Sequence, residues 1–126
     1  FNISLQDGVD MVMYVLENHL GGEIFVPKIP SYKIMDVALA IAPDCDMRVV
    51  GIRPGEKLHE EMIAAEDSRR TRVFDDYYVM QPVLSAWTGE TSMLGDPVPE
   101  GFCYRSDLNE DWLSVEQIRQ LLSTCD

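Results

Sequence analysis

The sequence predicts an α/β fold: a small lobe followed by a long C-terminal arm and a terminal helix. Two observations predict it. Apolar residues recur at helical spacing in "SLQDGVDMVMYVLENHL" and "YKIMDVALAIA". Short β-prone runs, "EIFV" and "MRVVGI", follow each of these helices. Helix, strand, helix, strand and helix in alternation imply strands brought together by helical crossovers.

Ser4 is a suitable N-cap for the first helix, with Asp7 three residues on as a relative of the capping box. Leu5, Val9, Val12, Leu16 and Leu20 form its apolar stripe, and Gly21 and Gly22 supply a left-handed stop. Glu23 to Val26 reads as a strand ended by Pro27 and Pro30. Ser31 is placed to cap the second helix, which Pro43 terminates. Met47 to Ile52 reads as a second, buried strand, and a short helix is expected from about Lys57 to Ile63. Two strands make a poor sheet, so they either pair with each other or add to strands outside this chain.

The expected division is an α/β lobe over residues 1–63 and an irregular arm over 64–126. Gly89, Gly95, Pro97 and "PEG" at Pro99 to Gly101 break the arm. At its end Ser114 and Gln117 fit a capping box, and Val115, Ile118, Leu121 and Leu122 give a terminal amphipathic helix. A long arm of this kind packs on something larger, either a parent domain or a second subunit.

The chain has 126 residues and a formal net charge of −12. That charge speaks against a general nucleic-acid partner and against an anionic membrane surface. No apolar run approaches the ~20 residues of a membrane span, and no secretory leader is visible, so a cytoplasmic protein is expected. Cys45, Cys103 and Cys125 match no zinc spacing and no disulfide framework, and read as reduced thiols. The chain opens on Phe1 inside what reads as a structural element, which predicts a fragment or a processed chain.

The stretch "VVGIRPGEKLHEEM" carries the chemistry. A strand ending at Ile52 would deliver Arg53 to the place where α/β folds bind ligands. Guanidinium offers a fixed fork of donors that matches a phosphate. Pro54 fixes one dihedral and Gly55 permits a left-handed turn, so Glu56 can be aimed back beside Arg53. A carboxylate there accepts hydrogen bonds from a vicinal diol such as a ribose. Arg-Pro-Gly-Glu thus reads as a clamp for a nucleoside diphosphate. On spacing alone an ordinary turn with an Arg–Glu surface pair is the better explanation.

"GGEIFVPKIPSYKIMDVALAIAP" followed by "VVGIRPGEKLHEEMI" resembles the C-terminal, substrate-binding part of the extended short-chain dehydrogenase/reductase family. More closely, it is similar to the inverting UDP-N-acetylglucosamine 4,6-dehydratases of the polysaccharide-biosynthesis group. "FNISLQDGVDMVMYVLE", "FDDYYVMQP" and "DLNEDWLSVEQIRQLL" extend the resemblance over nearly the whole chain. It implies that Arg53 binds the UDP diphosphate and Glu56 the ribose hydroxyls, with Lys28 either near the nucleotide or solvated. It further implies NADP or NAD in the complete enzyme, a missing N-terminal Rossmann-type part, and a homo-oligomer when complete. The implied reaction oxidises C4, loses water across C5 and C6, and ends with inversion at C5, for pseudaminic-acid or related bacterial surface sugars. The family's glycine-rich GxxGxxG turn and its Tyr-x-x-x-Lys pair are absent from this sequence. No catalytic, cofactor-binding or metal residue is therefore assigned, and the fragment is expected to be inactive alone. A UDP-sugar 4-epimerase would carry the same clamp. A free-standing UDP-sugar module and an oligomerisation domain are the readings outside enzyme chemistry.

Other residues read as structural. His59 is a packing or hydrogen-bonded histidine, and His19 faces the dipole of the first helix. Asp44 and Asp46 belong to a solvated turn, and Met11 and Met13 fill the first helix. Arg69, Arg70 and Arg72 form a solvated or salt-bridged cluster. Phe74, Tyr77 and Tyr78 pack the arm.

Overall fold

The computed structural model describes residues 1–83 and 95–123. Helix α1 spans Leu5–Asn18. Ser4 caps it as expected: its Oγ accepts from the Asp7 N–H at 3.0 Å, while the Asp7 carboxylate accepts from the Ser4 N–H at 3.4 Å. Gly21 and Gly22 then turn the chain at φ 124° and 83°. Strand β1 (Ile24–Pro27) follows, then helix α2 (Ile34–Ile41).

Ser31 does not cap α2. Lys33 holds the N-cap position, without a side-chain hydrogen bond. Ser31 is instead fully buried. Its N–H donates to the Asp111 carbonyl at 2.9 Å, and its carbonyl accepts from the Leu113 N–H at 2.8 Å. A buried serine with both backbone groups taken is a bridge between chain segments rather than a helix start.

The second half departs most from the sequence reading. Residues 47–52 form no strand, and Val49, Val50 and Ile52 are 85%, 83% and 56% exposed. No helix forms over 57–63; β2 (Glu61–Ile63) occupies its end. The supposed irregular arm supplies most of the sheets: β3 (Thr71–Val73), β4 (Tyr77–Met80), β5 (Asp96–Pro97) and β6 (Tyr104–Arg105). A 3-10 helix (Ala65–Arg70) leads into β3.

The main sheet runs β1-β4-β3-β5 and a smaller one pairs β2 with β6. Every pairing of these strands is antiparallel, so the expected helical crossovers do not arise. β1 is matched by β4, with Phe25 opposite Val79, so the main sheet draws strands from both sides of residue 63. Pro27 and Pro97 both lie on edge strands, where a missing N–H costs least. The core is small: Val26, Ile63, Met80 and Tyr104, flanked by Phe1, Met62, Tyr78 and Phe102.

Helix α3 (Val115–Ser123) opens on the expected box, Ser114 N–H donating to Gln117 Oε1 at 2.8 Å. It packs on α2 and buries Ile118. The Arg119 guanidinium donates to the Leu39 and Ala40 carbonyls at 3.3 and 3.5 Å. This places a cation at the negative end of α2, whose own last turn has no basic residue. The break expected at Gly89 and the thiol of Cys125 lie outside the described residues.

Candidate functional site

Arg53 and Glu56 are brought together, but by a local turn and not by a strand end. The Glu56 N–H donates to the Arg53 carbonyl at 3.0 Å, closing a four-residue turn. Gly55 has φ 87° at its third position, the conformation a type II turn requires there. Pro54 pre-sets the second position. Sequence alone thus builds this site, and it needs no sheet beneath it.

The geometry of the pair is tight. Glu56 Oε2 accepts the Arg53 backbone N–H at 2.7 Å. Glu56 Oε1 accepts Nε–H at 2.6 Å and lies 2.5 Å from Nη2. Those bonds, the backbone one first and the side-chain one second, hold the Glu56 carboxyl below its ordinary range. The Arg53 side chain is 83% exposed and that of Glu56 38%. An anion arriving from solvent therefore meets an unobstructed guanidinium.

Lys28 is exposed, and its ammonium is engaged within the chain. Its ammonium donates to the Phe74 and Asp75 carbonyls at 2.6 and 3.0 Å and stands over the Tyr78 ring. It closes the β3–β4 turn. The surrounding "VPKIPS" segment is a latch: the Tyr104 hydroxyl donates to the Ile29 carbonyl at 3.0 Å and accepts from the Ile29 N–H at 2.8 Å. Asn109 Nδ2 donates to the Ile29 carbonyl at 2.8 Å and to Ser31 Oγ at 3.1 Å. Nothing in the sequence marks Tyr104 and Asn109 for this role, because their partners lie 75 and 80 residues away.

A groove of about 740 Å³ runs between α1, the Pro27–Pro30 segment and the β3–β4 turn. Asp7, Asp10 and Asp76 line it, and its Lys28 is already committed to carbonyls. Such a groove repels a diphosphate. Arg53 and Glu56 do not line it. Tyr14 and Tyr77 join hydroxyl to hydroxyl there at 2.7 Å. Burial first, and the Tyr14 contact second, push the Tyr77 hydroxyl up to about 12.

His59 lies in no helix; its Nε2 is 3.7 Å from Asp107 Oδ2. Asp107 is also held by Arg105 through two hydrogen bonds of 3.0 and 2.8 Å. Desolvation acts to raise the Asp107 carboxyl, and the Arg105 hydrogen bond, a backbone bond of its own and the charges of Arg105 and His59 together hold it low. Of the basic cluster, Arg69 pairs with Glu100, and Arg70 with Asp67 and the Gln81 carbonyl. Among the described residues no group of His, Cys, Asp and Glu is arranged to hold a metal ion, and no helix is long and apolar enough to cross a membrane.

The chain is 42% identical, over 98% of its length, to a Campylobacter jejuni protein named UDP-N-acetylglucosamine 4,6-dehydratase (inverting). It is 37% identical over 62% of its length to a Rickettsia massiliae UDP-glucose 4-epimerase. It spans 39% of the first relative and 24% of the second. In structure it resembles Pen from Bacillus thuringiensis, with a TM-score of 0.74 over 96% of this chain and 35% of that one, at 21% identity. That likeness shows the fold. The family model described as "Polysaccharide biosynthesis protein" matches residues 1–82, a span that holds α1, β1, α2 and the whole Arg53–Glu56 turn. The chain belongs to this polysaccharide biosynthesis protein family.

Proposed function

We propose that this chain is the UDP-sugar-binding part of a nucleotide-sugar 4,6-dehydratase. The observation that carries the reading is the Arg53-Pro54-Gly55-Glu56 turn, which sets a guanidinium and a carboxylate side by side on open surface. Arg53 takes the diphosphate, and Glu56 accepts from the ribose hydroxyls. These contacts lie far from the reacting carbons and serve to orient the sugar. The 42% identity to the Campylobacter dehydratase supports UDP-N-acetylglucosamine as substrate and a UDP-4-keto-6-deoxy sugar, inverted at C5, as product. The product would serve bacterial surface polysaccharide or pseudaminic-acid type glycans, and the enzyme would work in the cytoplasm.

In the complete enzyme NADP or NAD carries the hydride. The residues of this chain do not fit that group: α1, α2 and α3 open on Ser4, Lys33 and Ser114, with no glycine-rich turn before them. An N-terminal Rossmann-type part would hold it. Residues 64–126 would pack on that part or on a second subunit of a homo-oligomer.

The similarity to a 4-epimerase favours a second reading, in which the same clamp serves C4 inversion. Incubating the native polypeptide with UDP-N-acetylglucosamine separates the two by mass spectrometry and NMR. Loss of one water with a C4 ketone is the expected result. An unchanged mass with inverted C4 assigns the epimerase, and no conversion together with no UDP binding overturns both.

A further inference from the structure

The hydrogen bonds inside the Arg53–Glu56 turn assign Glu56 a role beyond that of a ribose acceptor. A guanidinium has five N–H donors and a carboxylate about four acceptor positions. Glu56 engages the side-on edge of Arg53: Nε–H donates to Oε1, and Nη2 stands beside the same oxygen as its ion-pair partner. The end-on edge, one N–H each of Nη1 and Nη2, is left over and can bind a phosphate with two parallel bonds. Oε2 meanwhile grips the Arg53 backbone N–H. Arg53 thus takes one acceptor position on each oxygen of Glu56. The remaining positions stay open to a hydroxyl donor.

The carboxylate is itself fixed. It stands on the closing residue of a turn held by the Glu56 N–H to Arg53 carbonyl bond and by the positive φ of Gly55. An exposed arginine otherwise samples many rotamers, and ordering it would weaken binding. We propose that Glu56 is a positioning residue, whose carboxylate orients the Arg53 guanidinium so that its end-on edge meets the nucleotide diphosphate. This rests on the reading of the turn as a diphosphate clamp.

The test uses two probes, UDP and 2′,3′-dideoxy-UDP, titrated calorimetrically into the native polypeptide and into Arg53→Ala, Glu56→Ala, Glu56→Gln and the double alanine variant. Circular dichroism checks that each variant folds. If Glu56 works through Arg53, Glu56→Ala weakens both probes by the same factor, about tenfold for the loss of an oriented charged hydrogen bond. It then adds no further loss to Arg53→Ala. Glu56→Gln, which keeps the size but offers one acceptor oxygen instead of two, should fall between the wild type and Glu56→Ala for both probes. A Glu56→Ala loss seen with UDP, absent with the dideoxy probe and additive with Arg53→Ala overturns the proposal and leaves Glu56 as a hydroxyl acceptor. Unchanged UDP affinity in Arg53→Ala has a different meaning: the clamp itself is then wrong, and the positioning role falls with it.

Discussion

Arg53 presents an exposed guanidinium whose orientation is set by Glu56 three residues on. Replacing it with alanine in the native polypeptide should weaken UDP-sugar binding by about 1.5–3 kcal/mol, the range for a charge-assisted hydrogen bond. Isothermal titration measures this directly, and fold stability should stay within ~0.5 kcal/mol, as for other surface changes. Tyr104 is the opposite kind of residue. Its hydroxyl serves one backbone N–H and one carbonyl of Ile29. Tyr104→Phe should cost about 1–3 kcal/mol by leaving that N–H without its partner. The lower end applies because the Ile29 carbonyl keeps Asn109. Urea unfolding gives the value, and a loss below measurement error would remove the latch from the account.

Tyr77 ties residue chemistry to pH. Its hydroxyl ionises at about 12 in the folded chain, against about 10 in an unfolded one. The folded state therefore keeps a proton that the unfolded state gives up as pH rises through that interval. Stability should be unaffected by this group below the unfolded value and should fall with rising pH above it. Denaturant melts in steps from pH 9 to pH 11.5, compared with Tyr77→Phe, isolate the contribution. The variant should show a shallower decline.

At the scale of elements, caps and turns decide where the chain changes direction. Ser4→Ala removes one side of the α1 capping box and should destabilise by about 1 kcal/mol. Gly95 sits at the entry to β5 with φ 88°. A Cβ there would lie 2.7 Å from the Phe74 ring and 3.1 Å from the Val73 carbonyl. Gly95→Ala combines that crowding with a left-handed backbone and should cost more than Ser4→Ala in the same melt. A smaller cost would mean that β5 shifts freely along β3. Helix α2 depends on a neighbour for its end: Arg119 of α3 satisfies its Leu39 and Ala40 carbonyls. The two helices are thereby coupled by more than the burial of Ile118.

At the scale of the whole molecule, apolar surface is spread unevenly. The stripe of α1 predicted from spacing exists, yet Leu5, Val9, Val12, Leu16 and Leu20 are all exposed. Residues 47–52 show the same mismatch between strong β-prone sequence and an uncovered face. Contiguous apolar surface of this kind promotes association. The 126-residue chain should bind a hydrophobic dye strongly, and the triple change Leu5→Glu, Val12→Glu, Leu16→Glu should reduce that binding several-fold without lowering the melting temperature. A large fall in melting temperature would show instead that the stripe stabilises this chain.

What the sequence determined by itself is whatever depends on neighbours within four residues. The α1 and α3 capping boxes, the glycine stop at Gly21 and Gly22, and the Arg53–Glu56 turn were legible for that reason. Each is a local hydrogen-bond ring with a composition to match. Tertiary structure alone decided the sheets. Thr71–Val73 and Tyr104–Arg105 are too short to show a period, and became strands because β4 and β2 offered unpaired backbone groups. Tertiary structure likewise moved Ser31 from a helix cap to a buried bridge, and committed Lys28 to two carbonyls 46 and 47 residues away. For Met47–Ile52 the propensity was right for a strand, but propensity supplies no partner, and among the described residues none pairs with it.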